Sequence, residues 1–155
     1  MGTVPAARQR TDSHAFVAAL ADTANALCRP AKLHFVLQEQ WQGQFLCAAP
    51  ELSRALENML DNAVRYTPAG GTVTLTISKA DGDVAFTVTD TGPGFTPEAL
   101  HKAGQFLYTD AARPGNGHQG LGLYLARSVA QAYGGKLVLA NTGTGAQVQL
   151  CLPMQ

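Results

Sequence analysis

Charge is scarce in this chain. Only 14% of its 155 residues are Asp, Glu, Lys or Arg, and 11 basic side chains face 11 acidic ones for a formal net charge of zero. No basic run or stripe occurs, which argues against nucleic acid as a main partner, because phosphate-backbone binding draws on clustered Lys and Arg. Long apolar runs are missing too: nothing reaches membrane-spanning length and no signal-peptide pattern opens the chain, so no direct membrane contact is expected. Cysteine is sparse, at Cys28, Cys47 and Cys151 with no C-x-x-C pair, and buried reduced thiols in a cytoplasmic compartment are the expectation. The four histidines lack metal-ligand spacing. No G-x-x-x-x-G-K-[ST] occurs, which excludes a P-loop, and no G-x-G-x-x-G run stands in the βαβ context of a dinucleotide fingerprint. There is no internal repeat. What the chain does have is 46% apolar residues, enough for one globular domain with a real core.

In chain order, residues 1–11 read as a loose leader or an appended stretch, and residues 12–155 as the domain. Asp12 or Ser13 can cap a helix to about Leu27, with Phe16, Ala19, Leu20, Thr23 and Leu27 as its apolar stripe. Leu33 to Gln38 and Gln44 to Ala48 look like two strands joined by a loop around Gly43. Pro50 opens a long helix that Pro68-Ala69-Gly70-Gly71 closes. Two period-two strands follow, on Val73, Leu75, Ile77 and on Val84, Phe86, Val88, with Asp81-Gly82 as a hairpin signal between them. A short helix is expected from about Pro97, a glycine-rich loop over 103–119, and a helix from Gly120-Leu121-Gly122-Leu123 to about Tyr133. Lys136 to Ala140 and Ala146 to Leu152 form a last hairpin. The class is α+β: a two-layer α/β sandwich, a mixed sheet with helices on one face.

Three stretches carry chemistry. On the long helix, Leu52, Leu56, Met59, Leu60 and Ala63 form an apolar stripe, while Asn58, Asn62 and Arg65 recur at steps of four and three on another face. Asn is a poor helix former, costing a few tenths of a kcal/mol (roughly) against Ala, so two in mid-helix suggest work for their carbonyls. Asp90, at a strand end before Gly92 and Gly94, could accept a hydrogen bond from an exocyclic amine, although a structural Asx-turn explains D-x-G-x-G as well. Gly115, Gly117, Gly120 and Gly122 precede a helix and suit either a phosphate site or a flexible surface loop. Together they would bind an adenine nucleotide with a divalent ion: Mg²⁺ takes few protein ligands and shares phosphate oxygens, so Asn62 alone could serve, with Arg65 offsetting phosphate charge.

The ordered set resembles the catalytic and ATP-binding domain of sensor histidine kinases. Asn58-x-x-x-Asn62-Ala63-Val64-Arg65-Tyr66-Thr67-Pro68 is similar to their N box, Asp90-Thr91-Gly92-Pro93-Gly94-Phe95 to their G1 box, and Gly120-Leu121-Gly122-Leu123 to the end of their G2 box. Gly143-Thr144-Gly145-Ala146 with Leu152-Pro153 is similar to their terminal hairpin. The resemblance covers about residue 12 to the end. It implies the Bergerat ATP-binding fold, ATP and Mg²⁺ as ligands, Asn62 on the metal, Asp90 on the adenine amine, Tyr66 flanking the base, and the loop 103–119 as an ATP lid. Asn58, Asn62 and Arg65 are the expected catalytic set, and Gly92, Gly94, His118, Gly120, Leu121 and Gly122 join them in nucleotide binding. Hydrolysing members of the superfamily carry a water-activating Glu four residues before the magnesium Asn; here Asn58 stands there, which favours transfer to a protein acceptor. Two features depart from the pattern: His118 replaces the first G2 glycine, and Ala103 stands where an earlier Phe is expected.

His14, His34, His101 and His118 all lack the acidic neighbour and Arg-Thr-Pro context of a phosphoacceptor, and no dimerisation helix pair precedes the domain in this sequence. The resemblance therefore implies a catalytic part that passes the ATP γ-phosphate to a histidine on a separate dimerisation domain, with a response regulator downstream. It also implies a monomeric isolated domain, cytoplasmic, within a full-length protein anchored in the inner membrane. Two alternatives stand beside this: a free-standing anti-sigma-type serine kinase, and a non-catalytic nucleotide-binding or interaction module with a degenerate lid.

Overall fold

Alternation of apolar and polar residues organises the sheet. The computed structural model describes residues 7–102 and 119–153. In it β4 (Thr72–Ala80) and β5 (Asp83–Asp90) pair as an antiparallel hairpin. Asp81 and Gly82 between them have φ of 53° and 80°, the two left-handed positions that a tight two-residue turn requires. Strand β7 (Ala146–Pro153) pairs antiparallel with β5, β6 (Lys136–Asn141) with β7, and β2 (His34–Glu39) joins β4 in parallel. The order β2-β4-β5-β7-β6 is thus mixed. Val73, Leu75 and Ile77, then Val84, Phe86 and Val88, then Val148, Leu150 and Leu152 bury one face, while the threonines and glutamines between them stay half-buried on the other.

Three helices cover the apolar face. Asp12 caps α1 (Ser13–Cys28), its carboxylate accepting from Ala15 N at 2.9 Å. The stripe that α1 buries is Phe16, Val17, Leu20, Ala24 and Cys28, rotated from the expected set; Ala19 is exposed, and Thr23 and Leu27 are half-buried. The cause is tertiary: Phe16 stands edge-on to Phe45 and Phe86, at 5.8 and 5.9 Å between centroids, and that contact sets the rotation. Helix α2 (Ala49–Tyr66) has Pro50 in its first turn and Leu52, Leu56, Met59 and Leu60 fully buried. Helix α4 (Gln119–Ala132) packs against α2 and over β6 and β7; α3 (Pro97–Lys102) follows the turn after β5.

One expectation about strands changes. The segments near 33–38 and 44–48 are strands as expected, in different sheets: β2 joins the main sheet, while β3 (Gln44–Cys47) pairs antiparallel with β1 (Gln9–Asp12). Residues 9–11, read from sequence as leader, therefore lie in a strand. Arg8 just before it donates to the Ala132 carbonyl at 2.8 Å and stacks 3.9 Å over the Tyr133 ring. The Tyr133 hydroxyl in turn accepts the Ala48 N–H at 2.7 Å, satisfying an amide at the α2 start, which has no side-chain cap. Cys28 and Cys47 are buried thiols and Cys151 is half-buried; burial pushes all three up from their ordinary range.

Candidate functional site: a strand end, a glycine turn and a helix face

Asp90 closes β5 and is only 5% exposed. Burial of a carboxylate is costly unless donors meet it. Its Oδ1 accepts from Gly92 N at 2.9 Å and from Ala146 N at 3.3 Å, so the side chain ties the turn after β5 to the start of β7. Residues 143–145, the other glycine-containing turn, press on the same point: a Cβ on Gly145 would overlap the Asp90 carbonyl. The bond to Gly92 is the Asx-turn geometry left open from the sequence, and the second bond goes beyond it.

The two G1 glycines are required for different reasons. Gly92 lies against the end of α2, where a Cβ would come within 2.6 Å of the Tyr66 carbonyl oxygen. Gly94 has φ 80°, and a Cβ there would sit 2.9 Å from Asn141 Oδ1. Asn141, the last residue of β6, grips the same turn. Its Oδ1 accepts from Phe95 N at 2.7 Å and its Nδ2 donates to Phe95 O at 2.8 Å, a side chain standing in for a strand rung. Sequence reading missed Asn141; its signal, an Asn just before the Thr142-Gly143-Thr144-Gly145 turn, is too generic to stand out.

Asn62 lies on α2 one turn before Tyr66, whose carbonyl meets this turn, and is 4% exposed. Its Oδ1 is buried without a hydrogen-bond partner, which costs about 1–3 kcal/mol for an amide oxygen. A hard, neutral oxygen donor fits Mg²⁺ chemistry. Among the described residues no group of three or more His, Cys, Asp or Glu could hold a metal.

The remaining expected residues scatter. Asn58, one turn earlier, is half-buried and lines a cavity of about 380 Å³ between α2 and α4, with Arg54, Leu125, Ser128 and Tyr133. Arg65 is exposed, its Nε 3.0 Å from Asp61 Oδ2 in an i,i+4 ion pair. The Tyr66 side chain is buried in the interior, and its carbonyl is what meets the G1 turn. Gly120, Leu121 and Gly122 lie in the first turn of α4. His118 and positions 103–118 of the expected lid lie outside the described residues.

A buried, amide-tethered carboxylate at a strand end, packed by its turn against a helix that carries an orphaned amide oxygen, is an arrangement that could take a nucleotide base and a cation. Comparison supplies the class. The family model described as histidine kinase-, DNA gyrase B- and HSP90-like ATPase matches residues 47–155, and the chain belongs to this family. The chain is similar to the sensor histidine kinase SpaK of Bacillus subtilis, 42% identical over 107 residues, which covers 67% of this chain and 23% of the relative. It is also similar to the histidine protein kinase DivJ of Caulobacter vibrioides, 37% identical over 105 residues, covering 66% and 18%. The chain thus spans about a fifth of the length of these curated relatives. Among solved structures it resembles the mycobacterial sensor histidine kinase MprB, with TM-score 0.82, 23% identity and coverage of 95% and 99%. It also resembles full-length ShkA in complex with AMPPNP, with TM-score 0.85, 25% identity and coverage of 99% and 32%. The fold is therefore that of the ATP-binding catalytic domain of sensor histidine kinases.

Proposed function

We infer that this domain binds ATP with Mg²⁺ and delivers the γ-phosphate to a histidine on a dimerisation domain, from which a response regulator would receive it. The observation that carries this reading is the orphaned, buried Oδ1 of Asn62 on the helix that abuts the Asp90 turn. Asp90 accepts the exocyclic amine of adenine, already fixed in direction by its two backbone donors. The glycines at 92 and 94 let the turn beside Asp90 pack against the end of α2 and against Asn141. Bound Mg²⁺ offsets phosphate charge and would be held on the protein side by Asn62. Asn58 is an amide and cannot serve as a base toward water, which supports transfer over hydrolysis. Arg65 would have to leave Asp61 to meet phosphate; its exposure allows that at small cost, since exposed pairs contribute about 0–1 kcal/mol. In transfer, the bond from the γ-phosphorus to the bridging oxygen breaks, ADP leaves, and a phosphorus–nitrogen bond forms on the acceptor imidazole. The domain by itself is monomeric in this reading, and works in the cytoplasm within a longer, membrane-anchored protein; no helix among the described residues is long and apolar enough to cross a membrane.

Calorimetric titration of the chain with AMPPNP, with and without Mg²⁺, tests the binding half. Mg²⁺-dependent binding that Asp90→Asn weakens supports it, whereas no binding at millimolar nucleotide overturns it. The transfer half is read by incubating the chain with labelled ATP and the dimerisation domain of its parent protein. Acid-labile label on that domain is expected; acid-stable label on a serine would move the assignment to an anti-sigma-type kinase.

A further inference from the structure

A run of polar contacts joins the entry of the domain to the two helices that carry its expected nucleotide residues. The Arg8 guanidinium donates through Nη2 to the Ala132 carbonyl at 2.8 Å and lies 3.9 Å over the Tyr133 ring. Tyr133 is 7% exposed, and its hydroxyl accepts the Ala48 N–H at 2.7 Å. The Ala48 carbonyl in turn accepts the first helical bond of α2, from Leu52 N at 3.0 Å. Arg8 thus closes the C-terminal end of α4, where a cation suits the helix dipole, and Tyr133 links that end to the uncapped start of α2. Toward their other ends the same helices carry the expected nucleotide groups: Asn62 and Arg65 on α2, Gly120 and Gly122 on α4.

The surroundings of these contacts leave room for movement. The cleft of about 380 Å³ between α2 and α4, which Tyr133 lines, gives the two helices space to shift against each other beside the tie. Strand β1 is exposed over most of its length and pairs with β3 alone in a two-stranded sheet. So small an element is marginal by itself and opens well below the free energy of global unfolding. Helix α4, with 14 residues, is a rod about 20 Å long, so a small tilt at Tyr133 displaces Gly120 and Gly122 at its start. We propose that the Arg8–Tyr133–Ala48 relay couples docking of β1 to the spacing of α2 and α4, so that release of the entry strand lowers affinity for nucleotide. Arg8 is then a positioning residue that acts through Tyr133. In the longer protein proposed above, displacement arriving from the N-terminal side meets β1 first. The nucleotide half of this proposal rests on the ATP reading; the relay itself does not.

The test is hydrogen exchange followed by NMR on the ¹⁵N-labelled chain, with calorimetry on the same proteins. Arg8→Ala should speed exchange of the Ala48 amide about 10-fold, although Arg8 bonds to Ala132 and Tyr133 and not to Ala48. Tyr133→Phe, which keeps the ring under Arg8, should speed it at least as much. The double variant should go no further than Tyr133→Phe alone, the non-additivity of a path in series. AMPPNP affinity should fall about 3–10-fold in both single variants. Arg8→Lys should retain most of the affinity, since an ammonium can still donate to Ala132 and sit over the ring. By reciprocity, AMPPNP should slow exchange of the amides of residues 9–12 in the unsubstituted chain. An Ala48 amide unmoved by Arg8→Ala, or effects that add in the double variant, overturns the relay. Faster exchange at Ala48 with AMPPNP affinity unchanged overturns the coupling and reduces the contacts to a brace. If the unsubstituted chain binds no AMPPNP, the ATP reading fails instead, and the exchange results alone decide the relay.

Discussion

Asp90 and Asn62 are both buried polar side chains at one end of this domain, and they are held in opposite ways. The Asp90 carboxylate is met by two backbone amides from two separate segments, and the turns around it are packed so closely that glycine is required at 92 and 145. The Asn62 oxygen is just as buried and is met by none. One half is satisfied by the fold; in the function proposed above, the other is satisfied by the bound metal. The first costs nothing further at the moment of binding, which is what preorganisation means energetically. The second carries a standing cost in the ligand-free protein, the usual relation between a functional residue and stability. The asymmetry predicts different signatures for substitutions at the two residues.

The largest effect belongs to Asp90→Ala. Removing the carboxylate strands the Gly92 and Ala146 amides and unties the G1 turn from β7, for a loss of about 2–4 kcal/mol in unfolding free energy. AMPPNP affinity should fall about 100-fold together with it, since a charged acceptor for the base is gone. Denaturant unfolding and calorimetry on one preparation read both. If stability held while affinity fell, the carboxylate would not be part of the scaffold, and the contrast with Asn62 would dissolve.

Asn62→Leu should do the reverse. An apolar side chain of similar size removes an unsatisfied oxygen, so unfolding free energy should rise by about 1 kcal/mol, or some 2–4 °C in midpoint for a domain of this length. Mg²⁺-dependent enhancement of AMPPNP binding should vanish in the same protein. A variant that loses stability would show that the oxygen is satisfied in solution, and would undercut Asn62 as a metal ligand.

Asn141→Ala is expected to fall between them. It deletes both bonds to the Phe95 backbone, costing about 1–2 kcal/mol, and loosens Gly94 without touching the adenine acceptor. AMPPNP affinity should drop only about 3–10-fold, from lost preorganisation of the turn. A drop as large as that of Asp90→Ala would mean that Asn141 holds the turn more than Asp90 does.

Much of this could be read from the chain because its signals are local. The amide spacing on α2, the Asp81-Gly82 turn and the alternation in β4 and β5 each lie within a few residues, where helical or strand period and turn chemistry decide the outcome. The missed features all join residues distant in sequence. Asn141 reaches Phe95 across 46 positions, Tyr133 caps Ala48 across 85, and β1 finds β3 instead of standing apart as leader. The rotation of α1 has the same origin, since Phe45 and Phe86 set which of its faces turns inward. Asn62 could be singled out from its position on the helix, but that its oxygen is orphaned depends on everything packed around it.

An exposed ion pair gives the smallest effect and a reference for both buried groups. His14, at the start of α1, lies 2.9 Å from Glu39 at the end of β2, and the hydrogen bond to that carboxylate, aided by its charge, holds the imidazole above its ordinary range. A raised folded-state value fixes the sign. The pair's contribution is complete below about pH 6.5, where His14 is charged in both states. It is lost as pH rises through the elevated folded-state value. The midpoint of thermal unfolding should therefore decline slightly across that interval, and Glu39→Gln should flatten this part of the profile while leaving AMPPNP binding unchanged. Solvent on the imidazole screens the pair, so the change should be small beside those at Asp90 and Asn62. A pH response of comparable size at this exposed pair would mean that burial is not what separates the two halves of the nucleotide end from the rest of the surface.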